Sequence, residues 1–157
     1  MNKIDLQIRS KRFALDIIKL VEYLPNNRVG WTFTDQIVRS STSVAANYRA
    51  VCRAKSDKDF ISKMETVIEE ADETLFWLEM IEESNVIEDL GLRKDDLGLR
   101  KDDLGLRKDD LRFRNDDSKT IQNPKSEIQN LKREANELVS IFVASAKTVK
   151  LRLNQKS

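Results

Sequence analysis

Residues 36 to 79, QIVRSSTSVAANYRAVCRAKSDKDFISKMETVIEEADETLFWLE, carry two helical periodicities back to back with only a short polar turn between them. Ile37, Ser41, Val44, Tyr48 and Val51 alternate spacings of four and three, and Phe60, Met64, Val67, Ala71, Leu75 and Leu78 continue the rhythm. Residues spaced this way share one side of a helix, so each segment has one face to bury. Ser56 is a good N-cap, and Asp57 and Asp59 in the following turn complement the helix dipole. A connection this short makes the two helices antiparallel neighbours. Ser40, Ser41, Thr42, Ser43, Ala45 and Ala46 form a run of small residues. Alone it is a mediocre helix former, because serine and threonine compete for backbone hydrogen bonds. In a bundle it lets a neighbour approach closely, and packing is expected to win.

The same rhythm flanks this block. Phe13, Ile17, Leu20, Val21 and Leu24 mark a first helix over about 5–24, ended by Pro25, with PNNRVG as the turn. The second helix is expected over about 34–55 and the third over 57–84. A fourth runs over about 124–155, capped by Asn123 with Pro124 at its first position. It carries Ile128, Leu131, Ala135, Leu138, Phe142, Ser145 and Val149. Only 4 glycines and 2 prolines occur in 157 residues, too few for a sheet protein that turns every 8–12 residues or so. The expected fold is therefore all-α: one domain, an antiparallel up-down-up-down four-helix bundle. Ile141 and Val143 widen the apolar face of the fourth helix, and Trp77 and Met80 do so on the third. A stripe wider than one core requires points to self-association through these four residues, or else to a broader core.

Between the third and fourth helices the sequence changes character. DLGLRKD occurs three times in tandem, at 89–95, 96–102 and 103–109, followed by the degraded copy DLRFRND at 110–116. A seven-residue period suggests a coiled coil, but Leu90 and Leu92 stand two apart and so fall on different sides of a helix. Gly91, Gly98 and Gly105 each weaken a helix by roughly 1 kcal/mol. Residues 86–122 are expected to be a low-complexity insertion forming a mobile loop. The alternative is an extension of the third and fourth helices.

The chemistry available is narrow. The chain has no histidine and one cysteine, Cys52. That removes Ser-His-Asp and Cys-His nucleophile systems, histidine-based zinc sites and an internal disulfide. Cys52 lies in an apolar helical stretch, which favours packing over nucleophilic duty. Glu65, Glu69, Asp72 and Glu79 share part of a helix face, but with Lys63 nearby a solvated acidic surface is the simpler reading. No phosphate-binding loop or dinucleotide fingerprint occurs. No catalytic residue, metal ligand or cofactor is expected. The N-terminal stretch lacks a signal-peptide core and no run is apolar enough to span a membrane, so the expected location is cytoplasmic.

Net charge is +1, from 28 Lys+Arg and 27 Asp+Glu, yet the charges are segregated. Residues 1–55 carry 10 basic and 4 acidic side chains, residues 56–89 carry 2 and 12, and residues 124–157 carry 7 and 3. One explanation is that the acidic third helix lies against basic neighbours. The other is that Arg9, Lys11, Arg12, Arg39, Arg49, Arg53 and Lys55 form a patch facing the phosphates of RNA or DNA.

Phe13-Ala14, QIVRSSTSVAANYRA at 36–50, DFISKMETVIEEADETLFWLE at 59–79 and EANELVSIFVASAKT at 134–148 together resemble a bacterial four-helix-bundle family. Its members include the S23-type proteins encoded within intervening sequences of 23S ribosomal RNA genes. The resemblance implies an up-down-up-down bundle assembled as a ring-shaped homopentamer, with no established enzymatic activity and an inferred nucleic-acid role. At fold level the chain also resembles the accessory bundle protein of diversity-generating retroelements, which works beside a reverse transcriptase. Arg39, Ser40, Ser43 and Asn47 match the family's signature by position. Asn47 and the small hydroxyls are expected to satisfy buried polar groups along the second helix. The expected function is non-enzymatic nucleic-acid binding by a homo-oligomer, the alternative being a protein-interaction scaffold with no nucleic-acid contact.

Overall fold

The computed structural model describes residues 2–87, 121 and 123–155. Among these, the chain forms four helices and no strand: α1 (Lys3–Val21), α2 (Arg28–Val51), α3 (Asp57–Glu83) and α4 (Pro124–Asn154). Most of the insertion expected at 86–122 lies outside the described residues.

Each helix begins where a side chain satisfies its first free amide groups. Asn2 accepts from the amides of Ile4 and Asp5 at 2.9 Å, and Asp5 accepts from the Asn2 amide in return. Ser56 accepts from Asp59 at 3.1 Å and Asn123 from Ser126 at 3.2 Å, as the sequence implies for α3 and α4. The start of α2 corrects the sequence reading. It begins at Arg28 rather than near Thr34, because Asn27 is an N-cap whose side chain accepts from the Gly30 amide at 3.0 Å. Gly30 is therefore not a turn residue. A Cβ there would lie 1.9 Å from the Pro25 carbonyl oxygen, so glycine is needed for close approach of the α1–α2 link. α1 correspondingly ends at Val21, three residues short of Leu24, and a tighter turn carries the chain to Pro25.

The core gathers one stripe from every helix. Phe13, Ile17 and Leu20 of α1 meet Ile37 and Val44 of α2, Met64, Val67 and Leu78 of α3, and Leu138 and Phe142 of α4. Burying each large side chain stabilises the fold by roughly 1.5–3 kcal/mol before conformational entropy is subtracted. α2 packs on α1 and α3, and α4 packs on α3 and α1, whereas α1 and α3 occupy opposite corners and face each other only across the core. Contacts between α2 and α3 pair early residues with late ones, Phe33 with Trp77 and Ser40 with Thr74. So do those between α3 and α4, Asp57 with Arg152 and Glu82 with Lys132.

The small-residue run of α2 does what close packing asks of it. Ser40, Ser41 and Thr74 are fully buried. The Ser40 and Thr74 hydroxyls lie 2.9 Å apart, with the Ile37 carbonyl 3.3 Å from the first and the Glu70 carbonyl 2.8 Å from the second. Two protons thus serve three acceptors across the α2–α3 seam, and among the described residues no buried side-chain N or O atom is stranded. Asn47 takes no part in this, contrary to expectation. It is half-buried, and its side chain has no hydrogen-bond partner among the described residues, because its position on α2 lies beside the seam rather than in it.

Beyond α3 and its C-cap Ser84 stands Asn85, whose backbone is left-handed (φ 52°), a conformation asparagine tolerates better than most residues. The turn folds Val86 back into the core, where it is 8% exposed. The expected loop boundary at 86 is thus too early. Val86 belongs to the packed bundle because this helix stop redirects the chain inward.

Candidate nucleic-acid interface

The basic residues picked out by sequence divide into two groups. Arg9 and Arg39 are held in ion pairs within the chain. Arg9 grips Glu134 of α4 with two parallel bonds, 2.6 and 2.7 Å, and reaches Glu137 at 2.5 Å. These carboxylates raise its pKa above the ordinary arginine value, against the opposing effect of burial. Arg39 pairs with Glu73 and, at 3.4 Å, with Glu70, both on α3. Arg39 in turn lowers the Glu73 carboxyl below its usual range, while burial raises that of Glu70.

Lys11, Arg12, Arg49, Arg53 and Lys55 are exposed, and their side chains form no ion pair among the described residues. Lys11 and Arg12 lie mid-way along α1. Arg49 lies in the last turn of α2, and Arg53 and Lys55 follow in the link to α3. That link is stiffened by Asp59, which accepts the Lys55 amide proton at 2.9 Å and pairs with Lys63. Lys63 first and the Lys55 amide second hold the Asp59 carboxyl below its usual range.

Lys55 also borders a cleft of about 580 Å³ at this end of the bundle. Lys3 from α1, Cys52, Ser56 and Phe60 around the α2–α3 link, and Ser145, Thr148 and Arg152 from α4 contribute to its lining. Arg152 is anchored by Asp57 at 2.8 Å. Tyr48 closes the core one turn before the cleft, its ring 5.4 Å from that of Phe142, and burial pushes its phenol up to about 12. Cys52 packs against the core as a half-buried thiol. Three helix ends thus bring cationic groups to one concave surface. Sequence reasoning named Lys55 but not Lys3 or Arg152, which become its neighbours only once α1 and α4 are in place.

Part of the acidic surplus of α3 is consumed inside the bundle. Arg39 from α2 reaches Glu70 and Glu73, while Lys132, Lys150 and Arg152 from α4 reach Glu82, Glu65 and Asp57. The segregated charges are therefore partly a packing device. Such exposed pairs contribute little each, roughly 0–1 kcal/mol.

Of the four residues assigned to self-association, two are engaged within the chain. The Trp77 ring lies tilted 5.9 Å from that of Phe33 and edge-on 5.1 Å from that of Phe76, and its indole N–H donates to Glu73 at 3.2 Å. Ile141 is half-buried against the core. Met80 and Val143 are exposed.

Comparison with known proteins adds the family. The profile described as "23S rRNA-intervening sequence protein" matches residues 2–94, which include α1, α2 and α3. The chain belongs to this family. A crystal structure from Bacteroides thetaiotaomicron VPI-5482, described as a protein of unknown function from the S23 ribosomal protein family, is similar with a TM-score of 0.60. The two are 22% identical, and the match covers 90% of this chain and 98% of that one, so it speaks for the fold alone. No curated protein matches the chain. Among the described residues no helix is long and apolar enough to cross a membrane.

Proposed function

We propose that this member of the 23S rRNA-intervening sequence family is a non-enzymatic, cytoplasmic bundle. In this reading it binds structured RNA, or another polyanionic nucleic acid, at the end where α2 meets α3. The observation that carries the reading is the exposed set Arg49, Arg53 and Lys55, without internal ion pairs, beside a cleft that Lys3 and Arg152 also line. A polyphosphate backbone needs only such an array of unpaired cations, and binding through it is sensitive to salt and nearly indifferent to sequence. The reading takes the helices as up-down-up-down, with the tandem-repeat insertion between α3 and α4 in the sequence. It also takes the working unit as a homo-oligomer, with the pentameric ring implied by family resemblance. A ring repeats a modest patch several times and raises avidity.

The test is retention of a folded ribosomal RNA fragment by the purified chain at about 50 mM salt, repeated with rising salt. Three phosphate contacts predict a log–log slope of about −2 to −3. Reversing Arg49, Arg53 and Lys55 to glutamate is expected to abolish retention while leaving helicity unchanged, since all three are exposed. No retention at low salt, or retention unchanged by the triple reversal, defeats the reading. The second reading, a scaffold that docks protein and leaves nucleic acid alone, is favoured by the exposed apolar side chains of α1 and α3. It predicts that the reversal leaves protein partners bound.

A further inference from the structure

We infer that copies of this chain join head to tail, the outer face of α1 in one copy lying along the outer face of α3 in the next. The inference rests on the self-association reading above and assigns it two surfaces.

α1 carries two apolar faces. One is the core stripe. On the opposite side stand Ile4, Ile8, Leu15 and Ile18, which are 67, 62, 47 and 39% exposed. With Lys11 between them they run at spacings of four, three, four and three, the rhythm of a helix-packing seam. Single exposed apolar residues are ordinary, but four in register along one helix are not scattered. α3 has a counterpart. Glu69, Asp72, Phe76 and Met80 follow one another along its outer side, Phe76 49% and Met80 36% exposed.

Charge selects between the possible pairings. Lys11 and Arg12 sit in the middle of the α1 stripe without an ion pair, and Glu69 and Asp72 lie beside Phe76 in the same condition, among the described residues. Two α1 faces laid together bring Lys11 and Arg12 against their own copies. Two α3 faces bring carboxylates against carboxylates. Like charges so placed repel. α1 laid along α3 in parallel brings Leu15 level with Phe76, Lys11 level with Asp72 and Ile18 within one residue of Met80, with Glu69 about one turn before the Lys11–Asp72 level. The two faces differ and belong to opposite corners of the bundle, so the contact is heterologous. It repeats from copy to copy until it closes a ring or runs on as a filament.

The experiment is molar mass by light scattering on the full chain. The wild type is expected at a multiple of 18.2 kDa. Leu15→Asp and Phe76→Asp, both at exposed positions, are each expected to reduce it to the single-chain mass with unchanged helicity. The decisive arm is a charge exchange. A Lys11→Glu/Arg12→Glu chain and a Glu69→Lys/Asp72→Lys chain are each expected to be single alone and to assemble when mixed, because each then offers what the other lacks. A wild type that stays single at every concentration overturns the inference. So does a Leu15→Asp chain of unaltered mass, or a mixture that fails to assemble. None of these changes touches Arg49, Arg53 or Lys55. RNA retention by the wild type at low salt, read beside its molar mass, therefore separates failure of this interface from failure of the nucleic-acid reading.

Discussion

Replacing Gly30 by alanine sets two effects of opposite sign against each other. Gly30 lies in the first turn of α2, and alanine is favoured over glycine in a helix by about 1 kcal/mol. Propensity alone therefore predicts a more stable protein. Packing predicts the reverse. The new Cβ would stand 1.9 Å from the Pro25 carbonyl oxygen and 3.2 Å from Pro25 Cδ, where real Cβ contacts are essentially never below 3.0 Å. The carbonyl must retreat by about 1.1 Å, and it is not free to do so. It accepts the Asn27 amide proton at 2.8 Å, and Pro25 is itself buried. Forcing a methyl group into a filled site costs about 1–3 kcal/mol, and a backbone obstacle puts this case in the upper half of that range. The net expectation is a loss of about 1–2 kcal/mol, seen as a lower urea midpoint with unchanged slope. The corresponding fall in melting temperature is about 2–8 °C for a chain of this size. Far-UV circular dichroism at fixed protein concentration reads both. Ala46→Gly, at an exposed site of the same helix, is the companion measurement and isolates propensity at about 1 kcal/mol of destabilisation. A Gly30→Ala chain as stable as the wild type, or more so, would refute the close approach of α2 to the Pro25 link.

Three further outcomes are expected. Glu73, whose folded pKa Arg39 holds below the ordinary 4.5, contributes stability that is full above that value and lost as pH falls through the folded value. Glu70, raised by burial, acts in the opposite sense and loses its contribution as pH rises through its folded value. Glu73→Gln should therefore flatten the acid limb of a stability–pH curve, while Glu70→Gln should gain stability near neutrality relative to acid. Thr74→Val should cost about 1 kcal/mol. Adding Ser40→Ala to it should cost less than the sum of the two single changes, because the pair shares its protons across one seam; strict additivity in urea denaturation counts against that contact. Asn85→Ala should lose about 1–2 kcal/mol from the left-handed turn, and Asn85→Gly should lose little or gain; equal effects of the two would show that the backbone there is not strained.

Much of the bundle was legible because its signals are local. Ser56, Asn123 and Pro124 stand beside the helices they start, and Ile37, Val44, Met64, Leu78, Leu138 and Phe142 are buried as their spacing requires. The reading faltered where one residue type serves two purposes. Pro25 and Gly30 look like the two edges of a turn, yet Gly30 is inside α2 and is glycine for want of space. Near the end of α4 the strict seven-residue pattern points to Ser145, whereas Ala146 is the buried residue. A helix of 3.6 residues per turn drifts from a 3.5 repeat, and the drift accumulates over a helix of 31 residues. The basic patch was only half legible. Whether an arginine is free depends on residues far away in sequence, and Glu134 and Glu73 take Arg9 and Arg39 out of it. The outer stripe of α1 escaped notice because the core stripe already accounted for that helix.

The pairing of α1 with α4 is the narrowest of the four helix–helix contacts, and Arg9 is the ion-pair clamp described across it. Breathing of the bundle should therefore start at that edge, with α1 peeling from α4 while still hinged at Pro25. A neighbour bound along α1 would act as a splint on this flap. Amide protons of α1 should then exchange more slowly as the protein is concentrated, while those of α2 stay indifferent to dilution.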